Sequence, residues 1–382
     1  MRPVQRDATD AGAAPGVAHA APGADGPDMA AGLPRFSTPA LVVDLDVFEA
    51  NIGAMARLVE GSGKTVRPHV KTHRTPELAV RQLGGPAVGV TCATVGEAEA
   101  MAAAGIDDIL VANEVVGDWK VARLVALART AHVMAAADAA EPVVALSREA
   151  AAAGATIGVL IDVDIGLRRC GVATPVEAVA LADEIAGRPG LRLAGIMGYE
   201  GRVRLDVDGR DAKIARGYAV LAEVRDALEA HGHRVPVVSG AGTSTLREAL
   251  ANPVLTEVQA GVYALMEPEL LVMDLPFACA MSIRGTVISR HPGRIVLDVG
   301  RRAVGLEYGP PVPRGFTARR IAVNDEHTIL EVEGDSLPPL GSQLDLVPGQ
   351  IRTTFNLHDR VWAARAGTIV ACWPVAARGR SW

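Results

Sequence analysis

The chain has 382 residues, 38 basic against 44 acidic side chains and a net charge of −6, with no long basic run; nucleic acid is therefore not expected as its main partner. No apolar run reaches the roughly eighteen residues of a membrane helix, so no membrane partner is expected. Cys92, Cys170, Cys279 and Cys372 are scattered without a C-x-x-C pattern, which fits the reduced thiols of a cytoplasmic protein better than a disulfide framework or a zinc finger. Residues 1–33, rich in Ala, Gly, Pro and Asp, lack the basic start and apolar stretch of a signal peptide and read as a disordered leader. Ordered structure is expected from Ser37-Thr38-Pro39, with a strand at Ala40–Asp44 and a helix through Val47–Leu58. Strand-like runs follow at Thr65–Val70, Ala87–Thr91, Asp108–Val111, Ala131–Ala135, Thr156–Asp162, Arg192–Met197, Val235–Val238 and Thr256–Gln259. They alternate with helical windows such as Val95–Ala104, Val121–Thr130, Val176–Ala186 and Ala212–Ala230. Eight strand–helix units predict a closed (β/α)8 barrel of TIM type over residues 34–267, with a doubly wound open sheet as the competing architecture. From 268 to 382 the runs Ala278–Ser289, Arg294–Val299, Thr317–Ala322, Thr328–Val332, Gln343–Val347 and Thr368–Trp373 are short and β-branched. They predict a mostly antiparallel β domain, which the strand near 40–44 is free to join.

Chemistry concentrates first at Val66-Arg67-Pro68-His69-Val70-Lys71-Thr72-His73, where a strand-like run ends in a lysine flanked by two histidines. A lysine at a barrel strand end, partly desolvated beside cations, has a lowered pKa and forms Schiff bases with carbonyls. The second concentration is Ser239-Gly240-Ala241-Gly242-Thr243-Ser244-Thr245, after the seventh barrel strand. Its small residues permit close backbone approach, and its hydroxyls and helix start suit an anion. Gly261-Val262-Tyr263 follows the eighth strand. A phosphate cradle facing a Schiff-base lysine points to pyridoxal 5′-phosphate.

These stretches, with Thr38–Asp44, Asp162–Gly171, Gly198–Gly201 and the tail Trp373–Arg380, resemble the fold-type III pyridoxal-phosphate enzymes with an alanine racemase-like barrel. Within that class the chain is similar to the D-threonine aldolase/D-serine dehydratase-like family. The resemblance implies that Lys71 carries the cofactor and shuttles the α-proton, with Arg169 near the cofactor's phenolic oxygen; the alternative for Arg169 is an ion pair with Asp162 or Asp164. Tyr199 contacts the ring or substrate, or else makes a structural hydrogen bond. His69 and His73 tune the lysine or pack on the ring, one of them being purely structural in the plainer reading. Ser239, Gly240, Gly242, Thr243, Gly261 and Tyr263 are expected to hold the phosphate, and a homodimer acting on a small amino acid is implied.

The tail departs from the family. The family's β-hydroxy-D-amino-acid lyases resemble one another in a C-terminal histidine and, two residues later, a cysteine or aspartate that bind a divalent ion. Here Gln350 and Arg352 fall at those positions, and a guanidinium cannot ligate, so no divalent metal is expected; the two side chains are taken instead as substrate-binding. His358-Asp359, read as strand residues facing opposite ways, do not replace the lost ligands. Tyr199-Glu200-Gly201-Arg202 also carries arginine where the family has histidine. The expected activity is a metal-free lyase, by aldol cleavage or β-elimination, on a β-hydroxy-D-amino acid. The alternatives are a racemase or epimerase, and a non-catalytic cofactor-binding protein. Arg352 is read either as selecting an anionic amino acid or as the mark of lost β-hydroxyl chemistry.

Overall fold

The structure is a computed structural model that describes residues 37–201, 208–332 and 337–382; the expected leader and Arg202 lie outside the described residues. Strand β1 (Ala40–Asp44) is buried over its first four residues and belongs to the second sheet. It pairs antiparallel with β10 (Met281–His291; Val42 opposite Ser282) and parallel with a later strand through Val42 and Trp362. Asp44 then caps α1 (Leu45–Val59), its carboxylate accepting from the amides of Asp46 (3.0 Å) and Val47 (3.2 Å).

Eight parallel strands form the barrel among the described residues. They are β2 (Thr65–Val66), β3 (Val90–Cys92), β4 (Asp108–Glu114), β5 (His132–Ala137), β6 (Ile157–Asp162), β7 (Leu191–Gly198), β8 (Val237–Gly240) and β9 (Glu257–Val258). Between them run α2 (Pro76–Gln82), α3 (Val95–Ala103), α4 (Asp118–Ala128), α5 (Ala140–Ala152), α6 (Pro175–Ala186), α7 (Arg210–Ala230) and α8 (Leu246–Ala251). Each strand from β3 to β9 pairs with the next, and β9 pairs with β2. Parallel bridges Val66–Ala87 and His69–Thr91 link β2 and its continuation to the β3 segment, so the sheet curls into a ring rather than the open sheet weighed above. Side-chain alternation splits the core in two. Leu110, Met134, Ala136, Leu160, Ala194 and Met197 pack inside the ring, while their neighbours pack outward under the helices. Arg67, 4% exposed, spans the ring, its Nε donating to Glu257 (2.9 Å) and its other nitrogen to Asp108 (2.6 Å).

The second sheet runs β13 (Ala318–Val323), β14 (Thr328–Val332), β11 (Arg294–Leu297), β10, β1, β16 (Arg360–Arg365), β17 (Thr368–Pro374), with β15 (Gln343–Val347) on β10 and β12 (Val312–Pro313) on β15. All pairings but that of β1 with β16 are antiparallel. One expectation needs correction. His358 and Asp359 are not strand residues: residues 351–357 form α9 (Ile351–Leu357), and His358 is its C-cap. The β-branched run Ile-Arg-Thr-Thr resembles a strand, but Ile351, Thr354 and Phe355 are buried at helical spacing. Phe355 meets His73 edge-on with ring centres 6.3 Å apart, which sets the helix against the Lys71 turn. Asn51 on α1 ties the barrel's last turn to the start of the β region. Its amide donates to the carbonyls of Ala264 (3.0 Å) and Ala278 (2.8 Å), and its oxygen accepts from Ala278 (2.9 Å).

Candidate active site

Strands β2, β7, β8 and β9 end at one rim of the barrel, and a cavity of about 620 Å³ opens there. Of the residues singled out from sequence, His69, Lys71, Arg169, Tyr199, Gly240, Gly242, Thr243, Gly261, Gln350 and Arg352 line it. Lys71 occupies a single 3-10 turn, Val70–Thr72, which follows β2 after Arg67, Pro68 and His69. Burial pushes its amine down to about 8, helped by the nearby Arg352 and Arg169, while Glu97 pulls the other way. Its Nζ lies 5.8 Å from the centre of the Tyr199 ring, and the guanidinium of Arg169 lies 5.9 Å from the same ring. Arg169 thus faces the cavity. Asp164 spends one oxygen on the amides of Gly166 and Arg168, both at 2.9 Å. The Asp162 carboxyl is pushed up to about 8 by burial first and by neighbouring Glu114 second.

The two histidines part company. His69 lines the cavity, and burial next to Lys71 holds its imidazole well below the usual range. Its Nδ1 has no hydrogen-bond partner among the described residues. His73 faces away: its Nδ1 accepts from the Thr75 amide (3.1 Å), its Nε2 pairs with Gln82 (2.9 Å), and burial lowers it to about 4. With Nδ1 accepting, the proton sits on Nε2 and is donated to Gln82. Gln82 in turn donates to the Tyr263 hydroxyl (3.2 Å), so His73 and Tyr263 form a neutral strut behind the cavity wall.

The glycine loop approaches its surroundings as closely as its sequence permits. A Cβ on Gly261 would lie 2.4 Å from the His69 carbonyl oxygen and 2.6 Å from the Thr72 hydroxyl; one on Gly240 would lie 2.5 Å from the Gly198 oxygen. Thr243 accepts from the Tyr263 amide (3.0 Å). Ser239, by contrast, points into the barrel, donating to Glu257 (2.6 Å) and accepting from Gln259 (3.0 Å), and does not line the cavity. Beneath the loop, buried Thr245 donates to Glu200 and accepts from the Gly242 amide (3.2 Å).

The tail side of the cavity is built by α9. Gln350 is the helix N-cap, its side-chain oxygen accepting from the Arg352 amide (2.9 Å). The Arg352 guanidinium reaches the Tyr308 hydroxyl (3.3 Å) and Glu267 (3.8 Å). Glu267, fully buried, also accepts from the Ile351 amide (3.2 Å). Glu267 and Tyr308, together with Asn113 and Cys170 on the wall, were not anticipated. Glu267 carries a local signal, an acid between the eighth strand's turn and Pro268, whereas Tyr308 sits in a loop with no motif. The tail reaches the Lys71 loop as well, the Ala377 amide donating to the Arg74 carbonyl (3.0 Å).

A curled parallel barrel with a buried lysine at its rim, facing a glycine-rich anion loop and followed by an antiparallel domain, defines a cofactor-binding barrel of the alanine racemase type. Residues 43–268 match the family model described as alanine racemase, N-terminal domain, and residues 280–364 match a serine dehydratase domain. The chain belongs to this fold-type III pyridoxal-phosphate family. It is 39% identical to a D-threonine aldolase of Arthrobacter sp, over 91% of this chain and 94% of that protein. It is 34% identical to a 3-hydroxy-D-aspartate aldolase of Paracoccus denitrificans, with the same coverage. The solved D-threonine aldolase of Filomicrobium marinum superposes with a TM-score of 0.86 at 38% identity, over 91% of this chain and 97% of that one.

Proposed function

We propose that the chain is a pyridoxal-phosphate-dependent lyase that cleaves a β-hydroxy-D-amino acid without a divalent metal. The observation that carries this reading is Lys71, buried, with its amine lowered to about 8 and facing the Gly240–Thr243 loop across one cavity. The residues fit the cofactor. Lys71 would hold its aldehyde end, Gly240, Gly242, Thr243 and Gly261 its phosphate, and Arg169 and Tyr199 its ring. Ser239 and Tyr263 support the loop from behind through Glu257, Gln259 and Thr243. Bound there, the cofactor supplies an electron sink that weakens the bonds at the substrate Cα.

The remaining work falls to side chains. Lys71, poised near neutrality, moves a proton on one face of the substrate Cα. His69, held neutral, is able to accept the β-hydroxyl proton. Arg352 and Arg169 make the cavity electropositive and orient the substrate's carboxylate. The donor set at the tail does not suit a divalent ion: Gln350 spends its oxygen on capping α9, and Arg352 is a fixed cation. Arg352 supplies positive charge at that wall. The same substitution is the observation that favours the racemase reading, in which only the α-proton moves. The relatives named aldolase favour the lyase.

Proton NMR in D2O with the cofactor and a panel of D- and L-amino acids, with and without chelator, decides between them. Glycine plus an aldehyde, or a 2-oxo acid plus ammonia, persisting in chelator is the expected result. Deuterium at Cα with inversion and no fragmentation would replace the lyase by a racemase or epimerase, and no exchange with any amino acid would leave a cofactor-binding protein. We also propose a homodimer, supported by Leu271 and Val272, 48% and 73% exposed on the turn whose Leu270 lines the cavity. Sedimentation of the holoprotein as a monomer would overturn it.

A further inference from the structure

At the opposite end of the barrel, the chain leaves α7 through a glycine turn that brings two histidines together. The Gly232 amide donates to the Glu229 carbonyl (3.0 Å) and the His233 amide to that of Leu228 (3.0 Å), closing the helix. Gly232 adopts φ +95°, a conformation open to glycine. The chain reverses there, and the rings of His231 and His233 stack with centres 5.7 Å apart and an interplanar angle of 26°. Both Nε2 atoms converge on one carboxylate, Asp183 near the end of α6. His233 meets one oxygen at 2.8 Å and His231 the other at 3.3 Å. All three donor atoms lie within 4.8 Å of one another.

We propose that Asp183, His231 and His233 form a binding site for a divalent transition metal of the Zn²⁺ class, joining α6 to α7 at the end of the barrel remote from the cavity. Two imidazole nitrogens and a carboxylate oxygen are a donor set for Zn²⁺, Co²⁺ or Ni²⁺ rather than for Mg²⁺ or Ca²⁺. A metal replaces the proton each histidine shares with the carboxylate, with bonds of about 2.0–2.2 Å that a small inward rotation of three side chains supplies. Asp183 and His231 are half exposed, so the ion has an entry path and the fourth position is open to water. The other group of three, Glu114, Asp138 and Cys170, is a poorer host. It lies beside the fixed cation Arg169, and Asp138 is engaged by the Gly171 amide (2.9 Å).

Metal-stripped, full-length protein titrated with Zn²⁺ against a chromogenic chelator tests the assignment, with Co²⁺ as the spectroscopic probe. One equivalent is expected, with Co²⁺ ligand-field bands that Zn²⁺ displaces. His231→Ala and His233→Ala should each weaken binding by at least about tenfold, and Cys170→Ser should leave it unchanged. Zn²⁺ should raise the thermal midpoint of the native protein and not that of the His231→Ala/His233→Ala double variant. Undiminished binding in that double variant, or its loss in Cys170→Ser, would overturn the site. No binding by the folded native protein would reduce the three side chains to a surface ion-pair group. Metal is read directly, so the outcome is independent of the reaction at the other end of the barrel.

Discussion

At the scale of single residues, the site depends on what burial does to charge. Lys71 at about 8 instead of 10.5 is uncharged in roughly a tenth of molecules at pH 7, against on the order of one in 3,000 for a free lysine. The rate at which the cofactor-free protein captures pyridoxal phosphate, followed by absorbance, should therefore rise with pH around a midpoint near 8. Arg352→Gln should move that midpoint upward, because Arg352 is the first charge that lowers the amine. Lys71→Ala should abolish the absorbance change, and an unchanged spectrum would remove Lys71 from its role. Asp162 carries the opposite shift. Its carboxyl is raised to about 8, so the folded state binds a proton that the unfolded chain releases near 3.8. Its contribution to stability is whole below about pH 4 and declines as pH rises towards 8. Thermal midpoints of Asp162→Asn relative to the native protein should accordingly improve across that window, and a constant difference would show that the carboxyl is not protonated.

At the scale of elements, the loops work because particular pairs leave no room. Gly261→Ala places a methyl 2.4 Å from a backbone oxygen, so the β9 turn must move away from the Lys71 turn. Overpacking of this kind costs about 1–3 kcal/mol. Pyridoxal phosphate affinity should fall more than that of pyridoxal, which lacks the phosphate; equal losses would mean that the turn does not hold the phosphate. Inside the ring, Glu257 compensates Arg67 and also takes the Ser239 hydrogen bond. Glu257→Ala leaves buried Arg67 with Asp108 as its remaining carboxylate partner and Ser239 without its acceptor, and should cost about 1–3 kcal/mol in denaturant titration, whereas breaking a surface pair such as Arg365 with Glu49 should leave the midpoint nearly unchanged.

At the scale of the whole molecule, the barrel and the antiparallel sheet interlock rather than follow one another. Strand β1 enters through the second sheet, the barrel is built, and α9 and the tail return to the Lys71 turn. Asn51, with three hydrogen bonds to the carbonyls and amide of that junction, is its fastening. Asn51→Ala leaves the buried Ala264 carbonyl without its donor, at about 1–3 kcal/mol, and gives the exposed Ala278 groups to water. It should lower the unfolding midpoint, and hydrogen exchange should quicken first at the Ala278 amide, which loses its acceptor.

The sequence by itself determined the strand–helix alternation of the barrel, the antiparallel character of the second sheet, and the lysine and glycine loop that meet at the rim. These are local patterns: a period of two against 3.6, and small residues where a strand gives way to a turn. Only the tertiary structure decided which of two neighbouring histidines faces the cavity, since His69 and His73 stand on either side of one turn with identical chemistry. It also turned Ser239 and Tyr263 into supports behind the loop, made a helix of the β-branched run at 351–357, and brought Glu267 and Tyr308 to the cavity wall. Side-chain direction at a rim and the fate of a short ambivalent segment are set by contacts between residues far apart in the chain, and no local pattern encodes those contacts.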